Sequence, residues 1–525
     1  MNAPTIQRRE LLATALLTCL LCACRSLPAR AAPWILADHD LEDWIATQRL
    51  RSMERLMRNI APTGTFERDV ETRYIAADRR EVARRAAEKS GGLATLTGDR
   101  YRQKITPSPG SIAAAPKGSP TEPDYFFHWV RDSALVMYEL ANLYAVSPPP
   151  QAARYEQCWT EFMRFSCSLQ TSENTEGLGE VRYNMDGTED VLQWSRPQFD
   201  GAALRALALL HYAAKRASPL ATGVDSLLNR TLASDLDYLA LNWTRDGFDL
   251  WEEYRGHDFY AGAVQAAALD AGSRWARARH DQERANSYAA ESTRLRARLE
   301  AHWLPERGYY GFLAGRSVYW DGTERVKPGD NFDAAVVMAA VHSRLSDGRF
   351  SLLDERVLAT AAKAEDLFLR LYPINGRKAA NEGVLYGRYE GDTYYGGNPF
   401  VFITFAFAEA HYRIASLLAQ RRTFAFTPLS RPFFERAMAR AGKPRPQNTG
   451  HLALLHGLVL RGDDTMRAVR RLIPESGDLP EQFDKNDGAP ASGQNLSWSH
   501  AALLAATDAR TAAIAALVAR SAAVP

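Results

Sequence analysis

The sequence predicts an all-α protein built as an (α/α)6 toroid, six helical hairpins closed into a ring. Three observations point there. Helical patterns fill most of the chain beyond residue 32. They alternate between stretches that are apolar on nearly every side and stretches that are charged and amphipathic. An aromatic, acid-bearing loop punctuated by Gly or Pro precedes each apolar stretch. A repeat of loop, inner helix, turn and outer helix means stacked hairpins. Six such units can close, and closure brings all six loops to one end. An open α-solenoid is the other arrangement of the same units.

In chain order, residues 1–32 form an export leader. Arg8-Arg9 precede an uncharged apolar run, Leu11 to Cys24, and Ala29-Arg30-Ala31 follows as a small-residue cleavage site. The arginine pair suits the twin-arginine route. Leu21-Cys22-Ala23-Cys24 resembles a lipobox, which would leave Cys24 lipidated and the protein tethered to a membrane; an uncleaved anchor is the plainer alternative. The mature protein is expected to be periplasmic or secreted, monomeric and without a membrane span. Residues 33–525 read as a single catalytic domain. Candidate helices fall near 40–60, 129–146, 151–171, 200–217, 225–243, 258–279, 281–302, 332–345, 353–371, 399–419, 450–472 and 497–521. A basic helical segment is expected near 68–88 and a short one near 431–441, with 68–104 an insertion. Gly201–Ala214, Ala261–Ala271, Ala334–Val341 and Val401–Ala410 are the stretches apolar all round; Gln282–Leu299 and Leu353–Leu371 are amphipathic. A Pro/Gly/Ser-rich stretch, Pro107–Pro123, leads into the first aromatic loop and holds a short extended piece at 111–115.

Composition removes several function classes. The chain has 64 Lys+Arg against 62 Asp+Glu, so no basic surface for nucleic acid is expected. Without residues 1–31 the balance is 60 to 61, a net charge of −1. Of five cysteines, Cys19, Cys22 and Cys24 lie in the leader. Cys158 and Cys167 share one helical pattern at a separation of about 13 Å, too far for a disulfide. Asp484 to Gly488 falls one residue short of a calcium-loop register. No His-Glu-x-x-His and no phosphate-cradling glycine loop occur, and His451 and His456 do not share a helix face. Neither a metal nor a cofactor is expected.

The chemistry sits in two loops far apart in sequence, Asp249-Leu250-Trp251-Glu252-Glu253-Tyr254 and Leu479-Pro480-Glu481-Gln482-Phe483-Asp484. Two carboxyl groups brought together are the minimal apparatus for cleaving a glycosidic bond, and adjacent aromatics offer a sugar ring a stacking surface. The other loops carry Tyr125 and Trp129, Trp194 to Asp200, Tyr319-Trp320-Asp321-Gly322, and Gly387 to Pro399.

At these loops the chain resembles the glucoamylase family of inverting glycoside hydrolases, family 15. The motifs run in order: PDYFFHWVRDSAL, GLGEVRYN, RPQFDGAALRA, DLWEEYRG, GRYEGDTYYGGNP and EQFDKNDG…LSWSHAALLAA. The resemblance covers roughly residues 40–520. It implies Glu252 as general acid and Glu481 as general base. It implies Tyr125, Trp129, Arg131 and Asp132 around the terminal sugar, with Arg388 reaching it and Asp392 in the same pocket. Trp194, Arg196 and Glu253 would line the next subsite outward. Ser195, Phe400 and His128 depart from the family pattern, which usually has Gly, Trp and a small polar residue there; these are expected to bear on subsite affinity. A preceding β-sandwich and a starch-binding module, common in relatives, are not recognisable, which implies soluble glucans rather than raw granules.

The implied reaction is exo-hydrolysis of an α-glucan or maltooligosaccharide from its non-reducing end, releasing β-D-glucose. Glu252 must be protonated, with Trp251 and Glu253 expected to raise its pKa. Glu481 is expected ionised, activating water across a gap of roughly 6.5–9.5 Å. The rivals are a related toroid hydrolase for α-1,6-glucans or trehalose, and an inactive glucan-binding protein.

Overall fold

The computed structural model describes residues 38–522 apart from 90, 119–121, 217–221, 347, 422–425 and 443–449. The leader and Cys24 lie outside the described residues. In chain order the helices are α1 His39–Asn59, α2 Arg80–Lys89, α3 Val130–Val146, α4 Pro149–Thr171, α5 Asp200–Lys215, α6 Thr222–Asn242, α7 Phe259–Ala278, α8 Gln282–Leu299, α9 Ala335–His342, α10 Glu355–Leu371, α11 Pro373–Gly376, α12 Val401–Ala419, α13 Arg431–Ala441, α14 Gly450–Arg470 and α15 Ser497–Ala522.

Helices α3, α5, α7, α9, α12 and α15 each pack on the next, and α15 packs back on α3, closing an inner ring. Their composition explains the position. Every residue of α9 is buried, and α12 is buried from Val401 through Tyr412. Helices α12 and α15 are long and apolar enough to cross a membrane, but 83% and 67% of their apolar windows are buried within the protein. The outer helices α4, α6, α8, α10 and α14 back onto the ring. Helix α8 shows how: Ala285, Tyr288, Ser292, Leu295 and Leu299 are its buried residues, one stripe at three- and four-residue steps. Aspartates start several helices by accepting a backbone N–H, including Asp38, Asp258, Asp281 and Asp354.

The sixth outer helix is α1, packed on α15. Arg49 donates to the Thr507 hydroxyl (2.7 Å), Ser52 meets His500 (3.0 Å), and Asn59 donates to the Ser497 hydroxyl (2.8 Å). Gln48 reaches the Gly477 carbonyl at 2.8 Å, tying α1 to the segment that leads to Glu481. The first and last described helices thus form the seam of the ring.

One expected element is different. The basic stretch near 68–88 is helical only over α2 and short 3₁₀ turns; Phe66–Glu71 is a strand paired antiparallel with Arg100–Ile105, which also pairs with Ala94–Thr97. The alternation decides it. Arg68 turns inward to the Phe126 carbonyl (3.1 Å) and covers the Phe127 ring, while Asp69 faces out between Arg100 and Arg102. This insertion is stitched to the ring by a backbone bond from Ala76 to Val191 and by Arg79, whose buried guanidinium meets Glu180 and Glu189. Cys158 and Cys167 are both free and buried.

Candidate active site

All six aromatic loops contribute to one cavity of about 1040 Å³, as their placement before the inner helices predicts. Its floor is charged and buried: Arg131, Asp132 and Arg388 are exposed by 7% or less. Its mouth is aromatic and open, with Trp194, Trp320 and Tyr395 all substantially exposed.

Glu252 and Glu481 both line this cavity. Glu252 stands in a tight turn between the paired strands Gly247–Phe248 and Tyr254–Asp258. The turn is held by Asp249, whose carboxylate accepts from the Glu253 and Tyr254 amides (2.9 and 3.3 Å), and by the Glu252 amide donating to the Asp249 carbonyl (2.9 Å). Burial pushes Asp249 up to about 7, against the pull of Lys327. Glu252 itself adopts φ +66°, a left-handed conformation unusual for a residue with a Cβ. The Ser195 hydroxyl donates to its carbonyl at 2.5 Å. Its carboxylate accepts from the Trp129 indole (2.9 Å) and the Gln198 amide (3.2 Å), with Arg131 3.5 Å away.

Glu481 is held differently. Its amide donates to the Gly493 carbonyl (2.8 Å) and its own carbonyl accepts from the Val401 amide at the start of α12 (2.9 Å). The carboxylate accepts from the Ser492 hydroxyl and, at 3.3 Å, from Tyr125. The Tyr125 and Trp129 rings pack edge to face at 5.6 Å. The two carboxyl groups are therefore linked by an aromatic bridge and do not bond each other.

Trp251 and Glu253, the two neighbours expected to raise the Glu252 pKa, each have a polar partner of their own. Trp251 donates to Asp333 (2.9 Å), and Glu253 is held by Arg388 (2.9 Å) and the Tyr389 hydroxyl. Glu481 was expected to be plainly ionised. Burial instead pushes it up to about 7, with Ser492, Arg388 and Tyr125 opposing, because its pocket removes water that would solvate the charge.

The sugar-binding candidates separate into two groups. Tyr125, Trp129, Arg131, Asp132, Trp194, Glu253 and Arg388 line the cavity. Arg131, from the first turn of α3, donates to Gln198 (2.8 Å) and Asp200 (3.0 Å). Burial works against its charge, yet Asp200, Asp132 and Glu252 hold its pKa above the usual value. Burial likewise pushes Asp132 up to about 6, with Arg131 opposing. Arg196 and Asp392 are not among the lining residues. Arg196 is spent on Glu180 (2.6 Å) and Asp190 (2.7 Å), part of a buried network whose Arg182 lies 3.5 Å over the Trp194 ring. Asp392 grips Arg388 (2.8 Å). Asp392 thus fixes a residue that faces the cavity, whereas Arg196 reaches it only through Asp190 and the Arg182 that lies over Trp194.

Among the departures, Ser195 and Phe400 line the cavity, but His128 does not. His128 is fully buried, accepts from the Ile112 amide (3.0 Å), and is driven by burial down to about 3. Sequence reasoning did not single out Gln198, Ser492, Tyr394 or Trp498. Gln198, Tyr394 and Trp498 sit inside motifs already recognised; Ser492 carries no local signal.

Comparison with known proteins gives a consistent picture. The family model described as "Glycosyl hydrolases family 15" matches residues 99–508. Glucoamylase 1 of Rhizopus oryzae is 30% identical over 418 residues, covering 78% of this chain and 68% of the relative. Glucoamylase-1 of Schizophyllum commune is 29% identical over 456 residues, covering 84% and 75%. Among solved structures, the glucoamylase of Hypocrea jecorina superposes with a TM-score of 0.72 at 24% identity, over 90% of this chain and 72% of that one. The glucoamylase of Saccharomycopsis fibuligera gives 0.71 at 22% identity, over 90% and 96%. At those identities the superpositions establish the fold.

Proposed function

This chain belongs to glycosyl hydrolases family 15, and from that membership we propose a mechanism for it as a glucan 1,4-α-glucosidase of glucoamylase type. Its substrate is an α-glucan. The observation that carries the mechanism is the pair of carboxyl groups, Glu252 and Glu481, opening into one cavity from opposite sides of the Tyr125–Trp129 bridge. Glu252 donates its proton to the glycosidic oxygen as the bond to the anomeric carbon breaks. Glu481 takes a proton from the water that attacks that carbon from the other face. The products are β-D-glucose and a glucan one unit shorter. Each carboxyl ends in the other's starting state.

Arg131, Asp132 and Arg388 suit the terminal sugar, because their buried charges offer hydroxyls strong donors and acceptors at the cavity floor. That floor supports exo attack. Trp129 stands with them beside the terminal sugar, and Trp194 gives an apolar ring face one subsite further out. Residues 33–525 act as one catalytic unit, and the protein works as an exported monomer. The leader supports export and its lipobox supports a lipid anchor at Cys24.

Proton NMR of the first anomer formed from maltotetraose tests the reading. β-Glucose is expected; α-glucose as first product overturns the inverting assignment. Glu481→Gln should lower kcat by about a thousandfold or more while maltooligosaccharide still binds. A variant that turns over normally removes Glu481 from the mechanism. Isomaltotriose and trehalose in the same assay fix the linkage.

A further inference from the structure

We propose that Trp320 is a distal glucan-binding platform, a site that holds a glucosyl ring well outside the cleaved bond and sets preference for longer chains. The inference rests on the glucosidase reading and extends it.

The placement comes from strand register. Strand Leu313–Tyr319 pairs antiparallel with Tyr254–Asp258, the strand that leaves the Glu252 loop. Tyr319 lies opposite Tyr254, two residues beyond Glu252, so Trp320 is carried by the same small sheet as that loop. Both Tyr319 and Trp320 line the cavity.

Trp320 is 61% exposed, far more than Trp129 at 4% or Trp251 at 9%. The exposed aromatic side chains among the described residues are Tyr74, Trp194, Trp320 and Tyr395, and the last three all stand at this one mouth. Exposed apolar surface gathered at the rim of a binding cavity marks a contact surface. The partly positive C–H groups of a glucosyl ring fit the electron-rich face of a flat indole.

The hairpin tip is built to hold that position. The Gly322 amide donates to the Tyr319 carbonyl (2.9 Å), closing a turn in which Gly322 takes φ +83°. The Tyr319 amide donates to the Thr323 carbonyl (2.8 Å). The Thr323 hydroxyl donates to Asp321 (2.6 Å), Arg325 donates to the same hydroxyl (2.7 Å), and the Arg325 guanidinium lies 4.5 Å over the Tyr319 ring. These bonds leave Trp320 outward while fixing the residues on either side. A pre-fixed aromatic loses little freedom when a ligand stacks on it.

The test compares wild type, Trp320→Ala and Trp320→Phe on maltose and on maltoheptaose. For Trp320→Ala, KM for maltoheptaose should rise about five- to tenfold, the size of one stacking contact. kcat on both substrates, and KM for maltose, should stay within about twofold. Trp320→Phe should recover most of the loss. Equal changes on both substrates, or none on either, overturn the platform. Wild-type protein releasing no glucose from either substrate overturns the glucosidase reading itself, a distinct outcome.

Discussion

Glu252, like Tyr395 at the mouth, holds a left-handed backbone in the cavity. A left-handed φ costs a residue with a side chain on the order of 1 kcal/mol, and the surrounding bonds from Asp249 and Ser195 hold it there. Such strain persists where neighbours over-determine it. Ser195→Ala removes one of those bonds. We expect kcat on maltose to fall about three- to tenfold with KM little changed; a change confined to KM would assign Ser195 to sugar binding. Glu481 gives the pH dependence. As the base it must be ionised, and burial has moved it from 4.5 to about 7. kcat/KM of the free enzyme should therefore rise with pH through about 7 on its acidic limb. Stability runs the other way. The folded state holds this proton more tightly than the unfolded one, so the contribution is full below about 4.5 and is lost as pH rises through 7. Glu481→Gln should melt higher than wild type at pH 8, by up to about 3 kcal/mol, and show little gain at pH 4. Calorimetry at both values decides it.

At the scale of elements, packing between inner and outer helices leaves little tolerance. Gly462 of α14 faces Tyr412 of α12 so closely that an added Cβ would lie 2.4 Å from the ring. The ring cannot retreat, because the Tyr412 hydroxyl donates to Asp463 (2.6 Å), which Arg510 of α15 also binds (2.7 Å). Gly462→Ala should cost about 2–3 kcal/mol, read as a lowered melting temperature, with kcat unchanged in the folded fraction. The helices were legible because their periodicity is local: α8 and α10 declare a buried stripe, and α9 and α12 declare full burial. The strand at Phe66–Glu71 was not, since its partner lies some thirty residues on and its charges mimic an amphipathic helix. The site divides similarly. Loops rich in acid and aromatic residues announced Glu252, Glu481 and Trp129. Which way Arg196 or Asp392 points depends on Asp190, Glu180 and Arg388, and no spacing in the chain specifies that.

For the whole molecule, closure of the ring couples regions remote from the cavity to its chemistry. Helix α1 supplies none of the residues that line the cavity, yet Gln48 and Asn59 fasten the segments on either side of Glu481. Deleting residues 38–59 should expose the face of α15 covered by Leu41, Ile45 and Leu56. We expect loss of near-ultraviolet circular dichroism, of a single cooperative melt, and of glucose release. A truncated chain that remains folded and active would show that the seam is dispensable.

That seam has a consequence for biosynthesis. Of the described helices, a ribosome emits α1 first and its mate α15 last, so the apolar stripe of α1 lacks that partner while the helices between them are made. A nascent chain without α15 has no closed ring, and it offers an open edge to chaperones and proteases.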